Sequence, residues 1–119
     1  MTNIQRFAGD ATGRSRASAF KDLVFTVGTS SDRGGSVHEQ TVLTLEAIQR
    51  NLADAGSDKS RLLSATVYLT DIQRKSEMDQ VWCDWIGESD NWPQRACVQA
   101  DLAPGTLVEI TVIAARLDG

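Results

Sequence analysis

The run LVEITVIAA, residues 107–115, is apolar or β-branched at every position except Glu109. A strand made from it carries hydrophobic side chains on both faces of a sheet, because successive side chains point to opposite sides. LVFTVGT, residues 23–29, has the same character. A sheet built around two such strands needs cover on both of its faces. With 119 residues there is length for one domain, expected over residues 1–119, and for few covering elements.

Two segments have the helical period. SVHEQTVLTLEAIQRNLADAG, residues 36–56, opens with Ser36 followed by Glu39, a capping box in which hydroxyl and carboxylate satisfy first-turn amides. Leu45, Ile48, Leu52 and Ala55 then form one apolar stripe, and Gly56 supplies the left-handed residue that ends the helix. A second helix is predicted over about Ser76 to Gly87, with Met78, Val81, Trp82, Trp85 and Ile86 on one face. That stripe reads first as core packing, with a ligand pocket as the alternative. SDKSRLL between them reads as a single helical turn.

The remaining patterned segments read as strands. IQRF (Ile4 to Phe7), SATVYLT (residues 64–70), Arg95 to Leu102 and Thr106 to Ala115 join LVFTVGT, while GDATGRSRAS (residues 9–18) reads as a polar, turn-rich stretch. The order is strand, strand, helix, strand, helix, strand, strand. This predicts an α+β domain with two helices on one face of a mixed sheet. The other face is then most economically covered by further copies of the chain.

Charge narrows the partners. Twelve Lys and Arg against sixteen Asp and Glu give a net charge of −4, which opposes a general nucleic-acid binder even with Arg14 and Arg16 close together. No apolar stretch has the length to cross a bilayer, so no membrane partner is expected. MTNIQRFAGD lacks the apolar core of a signal peptide, so a cytoplasmic location is expected. Cys83, Cys97 and His38 are too few soft ligands for a zinc site, and neither metal nor cofactor is expected. A Cys–His dyad remains the rarer alternative to two structural thiols.

Two charged residues stand out. Glu109 interrupts an apolar strand, where a carboxylate is costly unless it is paired or faces water. It is either a solvent-facing glutamate or a functional one. Arg95 opens a strand directly after a proline turn; it is either a rim residue in a surface ion pair or a fork for a substrate carboxylate. If their two strands pair, Arg95 and Glu109 face one cleft and make an anion-binding pocket with an internal carboxylate.

PQRACVQADLAPGTLVEITVIAA resembles the C-terminal signature of the reactive intermediate deaminases, the Rid family (RidA, formerly YjgF). The likeness extends back through MDQVWCDWI, TVYLTD, the HEQTVLTLEAIQRNLADAG helix and VFTVGT, to a branch other than RidA proper. It implies a chorismate mutase-like, YjgF-type domain that forms homotrimers, with sheets packed into a central barrel and clefts between subunits. It further implies that Arg95 binds the substrate carboxylate and that Glu109 positions the water that hydrolyses an imine. Cys97 and Gly28 would line the cleft, more through backbone than through side chain. Val27 stands where the deaminases have a serine, Arg14 where they have a tyrosine, and Asp79 where they have an asparagine. Arg14 in the cleft would suit a larger or more acidic ligand.

Three functions follow. The first is a cofactor-free hydrolytic deaminase of carboxylate-bearing enamines and imines. The second is a non-catalytic, regulatory protein binding small carboxylates in the same clefts. The third is a different reaction on the same scaffold.

Overall fold

A computed structural model describes residues 3–117; Met1, Thr2, Asp118 and Gly119, part of the single domain expected over 1–119, lie outside the described residues. Six strands form one sheet: β1 (Ile4–Ala8), β2 (Ser15–Phe20), β3 (Leu23–Thr29), β4 (Leu62–Leu69), β5 (Gln94–Gln99) and β6 (Val108–Ala115). Two helices, α1 (Val37–Asp54) and α2 (Lys75–Ile86), cover one face. The strand order is β1-β2-β3-β6-β4-β5, with β4 and β5 parallel and every other neighbour antiparallel. The α+β architecture with a mixed sheet is the one expected.

Local signals explain the helices. Ser36 Oγ accepts from the Glu39 amide at 3.1 Å, and the Ser36 amide donates to Glu39 Oε1 at 2.9 Å, closing the capping box. Gly56, at φ 83°, turns the chain out of α1. Leu45, Ile48 and Leu52 of α1 and Met78, Trp82 and Ile86 of α2 pack onto Val24, Val67, Leu69, Ile110 and Val112 of the sheet. Burial alternates along β4 and β6, so Ala65, Val67 and Leu69 face the helices with Val108, Ile110, Val112 and Ala114. Glu109, Thr111 and Ile113 take the other face. There Leu23 and Phe25 remain exposed, so the second face is uncovered within one chain.

Two expectations need correction. The stretch 9–18 is not all turn: from Ser15 it enters β2, which buries Ala17 and Ala19 and pairs with β1 on one side and β3 on the other. Alanine and serine carry little strand preference, so only this double pairing makes the strand. The strands flanking the APG turn also do not pair. The crossover through α2 returns β5 parallel to β4 at the sheet edge, and β6 enters on the other side of β4. The connection passes the end of β4, where the Ala100 amide donates to Leu69 O at 2.9 Å and the Thr70 amide to Leu107 O at 3.1 Å.

Candidate functional site

The topology divides the expected site residues between two places. Glu109 lies opposite Thr29 on β3 and Tyr68 on β4, on the face away from the helices. It lines a cleft of about 450 Å³ together with Arg14, Val27, Gly28, Thr29 and Ala103. Thus Glu109, Gly28 and Arg14 are brought together. Arg95 and Cys97 are not among them. They lie opposite Ala65 and Val67 on the helix-facing side of the edge strand β5. The single cleft expected for Arg95 and Glu109 is not formed within one chain, because β4 separates their strands and the two side chains leave opposite faces.

The cleft is positioned by polar contacts that no motif announces. Arg16 donates through Nε to Ala8 O and through Nη1 to Asn51 Oδ1, both at 2.9 Å, and pairs with Asp54 at 2.9 Å. Asn51 is buried and donates in turn to Thr26 Oγ1 at 2.9 Å. Arg16 is therefore an anchor fixing the loop that carries Arg14. Buried Gln40 does the same for the other wall: Nε2 donates to Gly105 O at 2.9 Å and Oε1 accepts from the Leu107 amide at 2.8 Å. A glutamine amid an amphipathic helix's buried positions was the available signal for that role.

Gly28 is buried where β3 passes under α1. A Cβ there would lie 3.0 Å from Thr44 O and 3.0 Å from Ile48 Cγ1, so close helix packing accounts for the glycine. Four ion pairs join described residues, and neither Glu109 nor Arg14 takes part in any of them. The half-buried Glu109 carboxylate thus faces the cleft with Arg14 as a nearby unpaired cation among the described residues.

On the edge, Arg95 is tied to α2. Nη2 donates to Asp79 Oδ1 at 2.5 Å, Nη1 lies 3.7 Å from Met78 Sδ, and the guanidinium carbon sits 5.2 Å from the Trp82 ring centre. Lys75 Nζ holds the second Asp79 oxygen at 2.7 Å. Partial burial works to raise the Asp79 pKa, but hydrogen bonds and charge from Lys75 and Arg95 outweigh it and hold the carboxyl below its usual range. Cys97 packs against the core, and burial pushes its thiol pKa up despite Arg95 and Lys75 nearby, the opposite of an activated nucleophile. His38 lies elsewhere, in a groove between α1 and α2 beside Val81 and Trp85.

Known proteins resemble this chain in sequence and in fold. A family model described as endoribonuclease L-PSP matches residues 10–116. A RutC family protein of Haemophilus ducreyi is 36% identical over 109 residues, 89% of this chain and 92% of that protein. The RutC family protein YoaB of Escherichia coli is 34% identical over 95 residues, 79% of this chain and 82% of its own. The crystal structure of a YjgF family member from Neisseria meningitidis aligns at a TM-score of 0.91 and 36% identity, covering 99% of this chain and 98% of that one.

Proposed function

Because the chain belongs to the endoribonuclease L-PSP family, with the RutC and YjgF proteins, we propose that it is a cytoplasmic hydrolytic deaminase of carboxylate-bearing enamines and imines. The YjgF-type fold expected from the sequence is the fold found. The observation that carries the proposal is the split site: in a cleft on one face a glutamate with no ion pair among the described residues, and at the edge of the other face an arginine. Joining them takes a second copy of the chain. A closed ring of three copies covers the uncovered sheet face, with Leu23 and Phe25 upon it, and brings Arg95 of one copy to the Glu109 cleft of the next.

In such a cleft the guanidinium binds the substrate carboxylate and sets the C=N carbon beside a water held by Glu109. The water adds to that carbon as Glu109 takes its proton. Glu109 hands that proton to the nitrogen, giving a carbinolamine, and then carries the hydroxyl proton to the same nitrogen as the C–N bond breaks, so that ammonia leaves and the carbon becomes a carbonyl. Proximity and general base help suffice, since imines hydrolyse unaided in water. Cys97 and Gly28 line the cleft, and Arg14 supplies charge for a second acidic end of a larger ligand. The family takes its description from an endoribonuclease; a net charge of −4 opposes polyanion binding.

The test follows the decay of an enzymatically generated 2-iminoacid with and without the protein, alongside light scattering. Acceleration by a species of about three times 12.9 kDa is expected. Tight carboxylate binding without acceleration establishes the non-catalytic reading instead. It has one observation in its favour, Val27 lining the cleft where the deaminases it resembles carry a serine.

A further inference from the structure

Arg95 is engaged on its own chain before any ligand arrives. Met78, Asp79 and Trp82 all contact its guanidinium, and its side chain keeps only 18% of its exposure. The contact with Asp79 is the one a ligand carboxylate would compete for. Asp79 has a second cation one helical turn away, since Lys75 holds its other oxygen at 2.7 Å. A carboxylate with two cations can release one without being left unpaired, and Asp79 retains 31% of its side-chain exposure for water to help. The Arg95–Asp79 bond is therefore exchangeable: a ligand takes the guanidinium while Lys75 keeps Asp79.

We infer that Asp79 is a specificity-determining residue of the site, an internal carboxylate on Arg95 that a ligand must displace. This rests on Arg95 being the carboxylate clamp. A planar ligand carboxylate replaces the lost contact with two parallel charge-assisted bonds, whereas a neutral amide or a singly bonding anion does not. Asp79 thus lowers affinity for every ligand and lowers it most for those lacking a carboxylate. A residue that only positioned Arg95 would do the reverse, and its loss would weaken binding.

The experiment measures pyruvate and pyruvamide binding calorimetrically on the wild-type protein, Asp79→Asn, Arg95→Ala and the double variant. Asp79→Asn keeps the shape and removes the charge. It is expected to bind pyruvate about fivefold more tightly and to narrow the preference for pyruvate over pyruvamide. The Arg95→Ala background should erase both effects. Unchanged or weaker pyruvate binding in Asp79→Asn overturns the inference, as does a gain that persists without Arg95. Binding too weak to detect in wild type supports it if it appears in Asp79→Asn and overturns it if it does not. Full pyruvate binding by Arg95→Ala would instead strike the clamp itself. Asp79→Ser, checked by circular dichroism, replaces the asparagine variant should that fail to fold.

Discussion

The Glu109 cleft and the Arg95 edge solve opposite electrostatic problems on two faces of one sheet. Glu109 stands half-buried with no ion-pair partner among the described residues, within walls fixed by Arg16 and Gln40. Arg95 has its charge met by Asp79, its face by Trp82 and its strand by β4. A group left unmatched where desolvation is costly is a candidate for chemistry, while a group satisfied locally needs an exchange partner before it can bind anything. On the proposed function, reaction falls to one face and recognition to the other.

The sharpest way to break it is Glu109→Gln. Turnover of a 2-iminoacid should fall about 10²-fold or more, the range removed with a general base, while pyruvate binding changes by less than about threefold. Undiminished turnover would make the cleft glutamate a bystander. Gly28→Ala separates packing from function on the cleft side. Its new methyl group meets Thr44 O and Ile48 at 3.0 Å, so a loss of about 1–3 kcal/mol in denaturant unfolding is expected from overpacking.

Arg95→Lys probes the edge more gently. It keeps the charge but not the planar fork, so pyruvate affinity should drop about tenfold while melting temperature moves little. The smallest effect concerns acid. The Asp79 carboxyl has a pKa depressed below its unfolded value, so its pairing contributes stability above the unfolded pKa and loses it as pH falls through the folded one. With about a third of the side chain exposed, that contribution is at most about 1 kcal/mol. Asp79→Asn should flatten this part of the acid limb of a stability–pH profile. An identical acid limb in the variant would show that pairing of Asp79 with Lys75 and Arg95 contributes nothing there.

The sequence alone determined the elements whose causes are local. Capping by Ser36 and Glu39, the stripe of Met78, Val81, Trp82 and Ile86, and the alternation through β6 are all written within a few residues of where they act. The odd placing of Glu109 was legible for the same reason, since one carboxylate breaks a period of two. Tertiary structure alone decided what depends on partners distant in the chain. β2 exists because β1 and β3 flank it; β4 lies between β5 and β6 because a crossover must return on one side; Arg16 and Gln40 act through groups 35 and 65 residues away. Periodicity tells a strand which residues share a face. It does not tell that strand which neighbour it pairs with, so Arg95 and Glu109 could be picked out by sequence but only the assembled sheet could set them on opposite sides.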